Sequence, residues 1–581
     1  MFDSSIWNTT ISEYFNWKYM VMKSSVSAIF VLAAAATGAY ALDFTGVSSG
    51  RTDLSTAENI RLITTPETEG GAERTNFRAS GITANSVTSV NEQATDGKGN
   101  VNIASSMGLS QTFLIDAKSD VEKTVIDVAS WRQNYINTKI TNSTSKDALI
   151  SVNFGSGLTE SSFGQEQYMT FENITANVSA ASSMLDQGDS RLIFGANSKV
   201  NWTGHMTATG TGQLIFQSGS RTSFTVASNS TTTVKKSAKM LVNQGAVVNM
   251  NQMSLGIWNE DCDSLLQIDG QLNMGDKITT YRGTTVNIGA TGSVFSSNKG
   301  LQIGTNSTLN VDGNLFMGGG SWFTLYGTAN FNQTDPSRQM VFYSITGNGN
   351  LTQAEAKVTD ANKGNVGIKI KRAATLGSSA VWIIDERVDL EGNIVSGTDA
   401  DVTTAKLIIT SNAKLKIRGS ADRVARVIMW DMAKMYLKNE NSITDLDGNA
   451  VKLVTAAGAK QLPELHLEAA QKFSMLSLSS DLSIYLDSSA AKLELTGDGN
   501  TIEMADGVIL SIYNFENDRI YIGENESTLK SLANIKAYDS EKNLLEISVV
   551  NGWLSTVPEP STYAAIFGAI ALVFAAYRRR K

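Results

Sequence analysis

The sequence predicts a mainly β chain built around a parallel β-helix solenoid, expected right-handed, and three observations carry that expectation. From about Ser190 onward, a unit of two short apolar runs about a Gly, Asn or Ser turn recurs with a period near twenty residues. Within each run apolar and polar residues alternate, the strand period of two. Charged residues make up only 18% of the chain while glycines number 48, a composition of strands and turns rather than helices. Each two-strand unit exposes an apolar face that it cannot bury alone. Stacking coils buries those faces in a shared interior, with Gly and Asn at the turn positions that need positive φ.

In chain order, residues 1–41 read as a signal-peptide region. Met22-Lys23 opens an apolar stretch from Ser24 to Thr37, and Ala39-Tyr40-Ala41 is a small-x-small cleavage site, so the mature chain is expected to begin at Leu42. The acidic and aromatic residues before Met20 are unlike a basic leader, which points to Met20 or Met22 as the start, with a long leader as the alternative. Residues 42–189 are expected to form a β-rich segment or cap. Their short apolar runs (Thr112 to Asp116, Thr124 to Ala129, Ala148 to Phe154) lie between polar loops. Val121, Val125, Val128, Trp131 and Tyr135 recur at helical spacing, so a helix from Asp120 to Ile136 competes there with β-branched content.

Residues 190–555 are the repeat region. Units start at Leu192, Leu214, Leu241, Leu265 and Val286, separated by 22, 27, 24 and 21 residues. The clearest copies are Leu192 to Trp202, Leu214 to Phe224 and Leu301 to Val311. Later, Leu407 to Ile417 is followed twenty residues on by Val427 to Leu437, which puts Ile409 and Met429 at matching inward positions of neighbouring coils. Two richer-in-charge stretches, Leu351 to Lys371 and Ala456 to Lys472 with Pro463 inside it, are expected to bulge from the coils.

No stretch of the sequence matches a catalytic motif. The two histidines, His205 and His466, lie in no metal-ligand spacing, and no nucleophile elbow, P-loop or dinucleotide fingerprint occurs. His205, in a Gly/Thr turn, and His466, in Leu465-His-Leu467, read as surface or satisfied strand positions. Cys262, the single cysteine, has Asp261 and Asp263 beside it, which disfavour a thiolate. Two carboxylate clusters could work as acid and base on a polysaccharide: Glu260, Asp261 and Asp263, then Asp385, Glu386, Asp389 and Glu391. Both fall at turns, where solvation explains them. Asp445-Leu-Asp-Gly-Asn449 lacks the remaining ligands of a calcium loop. The reading therefore names no catalytic residue, metal or cofactor, and a net charge of -8 gives no reason to expect a nucleic-acid partner.

Residues 557–581 carry the most specific pattern: Pro558-Glu559-Pro560, an uncharged apolar run from about Thr562 to Tyr577, and the basic cluster Arg578, Arg579, Arg580 and Lys581. The prolines fix φ and remove two donors, so the tripeptide should be extended and accessible. The run reads as a short transmembrane helix, about 24 Å against a hydrocarbon core of roughly 30 Å, and the cations orient it with the basic end inside. That order of parts resembles the PEP-CTERM sorting signal. The resemblance implies that an exosortase-type transpeptidase recognises Pro558, Glu559 and Pro560, with Arg578 to Arg580 as stop-transfer charges, and cuts near the tripeptide. It also implies export through the inner membrane, transient anchoring there, and delivery to the cell surface, outer membrane or extracellular matrix, with extracellular polysaccharide as a possible partner. The repeats are similar to autotransporter passenger β-helices. The function expected is a surface or matrix protein of structural or adhesive type; the alternative is a secreted β-helix lyase or glycosidase.

Overall fold

Alternation along four-residue runs decides the fold locally. In Thr285–Ile288 (Thr-Val-Asn-Ile) the second and fourth side chains are buried and the first and third are half-buried, and the same pattern returns in strand after strand. The computed structural model describes most of residues 168–557, the helix Pro560–Arg579 and isolated strands between Asn59 and Phe154. Its gaps after 168 are 186–189, 225–230, 297–299, 318–321, 334–339, 355–367, 386, 391–405, 446–447, 458–461 and 558–559. The expected leader with Ala39 and Ala41 lies outside the described residues, as do Pro558, Glu559, Arg580 and Lys581.

The chain divides into two units. The first comprises residues up to Thr233 together with Gly245–Asn251. Its parallel ladder runs through Asn59–Ile63, Gln111–Asp116, Ile136–Thr141, Tyr168–Glu172, Arg191–Phe194 and Gln213–Phe216. Parallel stacking therefore begins well before Ser190. Strands Lys123–Val128 and Ile136–Thr141 occupy the stretch where a helix competed, so the β-branched residues prevail over the helical spacing. Inside this unit Phe171, Phe194 and Phe216 stack rung on rung at 5.8 and 4.8 Å, with Trp202 edge-on to the first two.

The second unit comprises Val234–Gln244 and Gln252–Lys581. Many of its rungs carry three strands, as in Leu265–Ile268, Gln271–Met274 and Ile278–Thr280, and others two, the second a long one such as Ala470–Leu478; like strands stack in parallel ladders. The first ladder has thirteen strands, from Lys239–Val242 to Ile535–Tyr538. One inward row passes through Val242, Ile268, Ile288, Val311, Phe331, Gln353, Ile384, Ile417, Leu437, Leu467 and Leu486, all buried. Gln353 is its one polar member, and its Nε2 donates to the Arg387 carbonyl at 3.0 Å. Ile409 and Met429 are register partners with no exposed surface, as their twenty-residue separation implies. Turn residues supply the positive φ that the corners need, among them Asn306 at 58°, Asn412 at 61° and Gly283 at 73°. At Gly283 a Cβ would come within 2.5 Å of the Cys262 carbonyl oxygen, so no side chain fits.

Rung length varies more than the sequence period suggests. Gln353 to Ile384, Ile384 to Ile417 and Leu437 to Leu467 are register partners yet lie thirty residues or more apart. Residues 355–367 of the first expected bulge lie outside the described residues. The second, Ala456 to Lys472, is mostly rung: Glu464–Leu467 is a full strand of the first ladder and Ala470–Leu478 starts the next face. Pro463 sits just before that strand, where a missing N–H costs nothing to the ladder, while its carbonyl accepts from the Ser483 N–H. At the far end the strands Ile547–Val550 and Trp553–Thr556 turn back antiparallel, and Trp553 pairs with Tyr521.

The helix Pro560–Arg579 forms where the apolar run was expected, with Arg578 and Arg579 in its last turn. Pro560 is its first residue, a position that loses no intrahelical donor, so the proline belongs to the helix rather than to an extended segment before it. No helix among the described residues is long and apolar enough to cross a membrane. The expectation of a transmembrane helix is corrected to that extent. Between Tyr563 and Tyr577 the uninterrupted apolar stretch reaches only about 20 Å at 1.5 Å per residue, against a core of about 30 Å.

Candidate functional site

The outward side of the first ladder in the second unit concentrates the polar and aromatic side chains. One outward row runs in unbroken register through Gln267, Asn287, Asn310, Asn330, Thr352, Ile383, Lys416, Tyr436, His466, Tyr485 and Tyr513. It has two chemical halves. In the first, amides form a chain: Asn287 donates to Gln267 at 3.1 Å, Asn310 to Asn287 at 2.8 Å and Asn330 to Asn310 at 2.9 Å. A planar amide with a donor on one side and an acceptor on the other suits a parallel ladder, because each rung repeats the same geometry one strand spacing on.

In the second half the rings stack. Tyr436, His466, Tyr485, Tyr513 and Tyr538 lie with centroids 4.4, 4.5, 4.7 and 5.0 Å apart and planes within 15° of parallel. The Lys416 ammonium caps the open face of Tyr436 at 5.6 Å from the ring centre. At the middle of the stack His466 is held from both sides, Nδ1 at 2.8 Å from Asp487 and Nε2 at 3.1 Å from Glu464. Lys434 bonds Glu464 at 2.6 Å. Partial burial pushes the Glu464 carboxyl up, but hydrogen bonds and charge from Lys434 and His466 outweigh it and hold the group below the usual carboxylate range. Burial pushes the phenols of Tyr436 and Tyr485 up, and the neighbouring carboxylates add to that.

This geometry limits what the ladder can do. From Tyr436 to Tyr513 each ring is covered on both faces, by its neighbouring rings or by Lys416, so no sugar can stack on these faces. Both nitrogens of His466 face carboxylates and its side chain is only 14% exposed, so neither nitrogen is turned outward to a substrate. The ladder is cohesive: each stacked pair adds about 0.5–1.5 kcal/mol beyond the area buried. Sequence reasoning placed His466 correctly as a satisfied strand position and missed the column to which it belongs. The signal was the third or fourth place of KMYL, ELHL, SIYL, LSIY and IKAY, visible once the units are aligned by rung. His205 is exposed and lies in strand Lys199–Ala208 rather than in a turn.

The candidate carboxylates are dispersed. Asp261 pairs with Arg282 at 3.1 Å on an exposed turn, Asp263 accepts from the Ser237 hydroxyl at 2.6 Å, and Cys262 between them is buried. Asp385 pairs with Arg418 at 3.4 Å; Glu386 and Glu391 lie outside the described residues. Asp445 folds back on its own loop, Oδ1 accepting the Asn449 N–H at 2.7 Å. Among the described residues no three His, Cys, Asp or Glu side chains are arranged to hold a metal ion. No family model matches the chain, and no curated protein or solved structure matches it either.

Proposed function

We propose that the chain is an exported surface or matrix protein in which the solenoid is the displayed, structural or adhesive part and the stretch from Pro558 to Lys581 directs sorting. The observation that carries this reading is the helix Pro560–Arg579. Its apolar residues are exposed all round, Leu572 by 72% and Phe574 by 70%, and it ends in arginines. A helix apolar on every side is not stable in water, so it calls for a lipid or protein environment. Its short reach means that the basic side chains must snorkel to the head groups, or the bilayer thin, for it to be held across the inner membrane. Pro558 and Glu559, immediately before it, and Pro560, its first residue, are then presented outside to an exosortase-type transpeptidase. The solenoid suits display because its outward ladders carry their own amide and aromatic contacts, and its far end turns back in an antiparallel pair.

Replacing Glu559 with Ala tests the sorting half. The full-length chain is expected to accumulate in the inner-membrane fraction, because the tripeptide is no longer read while the helix is unchanged. If Glu559→Ala is processed like the wild type, or if the surface form retains Tyr577, the reading fails and a plain tail anchor replaces it. The lyase or glycosidase alternative gains nothing from the geometry, since Asp261 and Asp385 are each tied to an arginine.

A further inference from the structure

On another face of the second unit, strands Lys406–Ile409, Arg426–Met429 and Val451–Thr455 stack in register. Their outward rows are chemically uniform. Lys406, Arg426 and Lys452 are direct partners, and beside them Ile408, Ile428 and Val454 form a half-buried aliphatic row. Trp430 continues the middle rung outward at 45% exposure, so one rung displays a cation, an aliphatic side chain and an indole in line. Three like charges one strand spacing apart repel each other, and in-register like charges destabilise a sheet. In the first ladder the in-register pair Lys414 and Lys434 is answered by Glu464, which Lys434 bonds at 2.6 Å. Here only Lys452 has one, Glu503 at 3.7 Å; among the described residues Lys406 and Arg426 have no ion pair, and the Arg426 Nε is buried with no hydrogen-bond partner.

We infer that this face binds a linear acidic polysaccharide, with carboxylates on the cation row and the C–H faces of the sugar rings on Ile408, Ile428 and Trp430. The cations recur along a straight line about 10 Å long, two strand spacings, which suits two or three sugar units of a linear polyanion. Charge complementarity alone fits any polyanion. The aliphatic row and the exposed indole beside the cations distinguish a ligand that alternates anionic groups with C–H surface. The inference rests on the displayed, adhesive part of the reading above and not on sorting.

The test uses purified full-length protein in mild detergent on immobilised polygalacturonate, with dextran, duplex DNA and anionic phospholipid vesicles as the other surfaces. The protein is expected to bind polygalacturonate, to lose that binding as salt rises, and to ignore dextran. Lys406→Gln, Arg426→Gln and Lys452→Gln together should weaken binding about tenfold and flatten its salt dependence. Trp430→Ala should weaken it severalfold with the salt dependence unchanged. Lys239→Gln, which removes an exposed cation from another row, should bind as the wild type does. Without polymer at low salt, the triple variant should melt no lower than the wild type, because repulsion is relieved. If it unfolds instead, Lys406→Gln and Trp430→Ala singly decide. Retention of the triple variant within about twofold of wild type, or equal binding to DNA or vesicles, overturns the inference. Because binding is measured on purified protein and sorting in cells, failure of one leaves the other standing.

Discussion

Ile409 and Met429 show how much a single inward position carries. Each is fully buried and each lies over the other in neighbouring rungs. Ile409→Asp places a carboxylate where no cation or donor is within the rung, and the expected loss is roughly 3–5 kcal/mol of unfolding free energy. Chemical denaturation measures it, and a surface-like tolerance would show that the register is wrong. Glu464 gives a prediction of opposite character. Its carboxyl is held below the usual range, so its contribution is present above the unfolded-state value of about 4.3 and is lost as pH falls through the lower folded value. Stability should therefore drop on acidification below about pH 4, and Glu464→Gln should flatten that drop. Melting curves across an acid series check it; an unchanged slope in the variant would remove Glu464 from the account.

At the scale of the strand, the repeated four-residue runs made the inward rows legible, because burial follows the period of two with few exceptions. The amide chain was less legible, since nothing in one run says that Asn310 will meet Asn287 and Asn330. It appears only when the rungs are stacked. Asn310 both donates and accepts in that chain, so Asn310→Ala should cost about 1–2 kcal/mol, more than the same change at Asn330, where Asn310 is the one amide partner in the chain. Equal losses at the two positions would argue that the amides act singly. The same reasoning explains the missed aromatic column. Tyr436, His466 and Tyr485 are separated by 30 and 19 residues, and no fixed period relates them, because the insertion after Leu437 lengthens one rung while the stack depends only on register. The helix that competed near Asp120 gives way to strand Lys123–Val128 for a related reason. Helical spacing of valines is also strand-compatible, and β-branched residues lose less rotamer freedom in the pleated surface that parallel neighbours offer.

At the scale of the chain, the solenoid and the apolar helix place opposite demands on their surroundings. The solenoid turns its apolar rows inward and meets water with polar side chains, whereas the helix exposes Ile566, Phe567, Ile570, Leu572, Val573 and Phe574. Its apolar stretch is too short to hold a full bilayer core unaided, so the arginines next to it matter more than they would beside a longer helix. Arg578, Arg579 and Arg580 replaced together by Ser should leave the solenoid's melting temperature unchanged, since Arg578 and Arg579 lie in the helix and not in the ladders. The same change should weaken retention in the inner membrane, so that uncut chain appears outside the cell while cleavage at the tripeptide falls. Glu559→Ala, by contrast, should keep the chain in the membrane and uncut. Fractionation of both variants side by side separates the holding step from the recognition step. Identical distributions for the two would mean that the basic cluster does not act as a stop-transfer element.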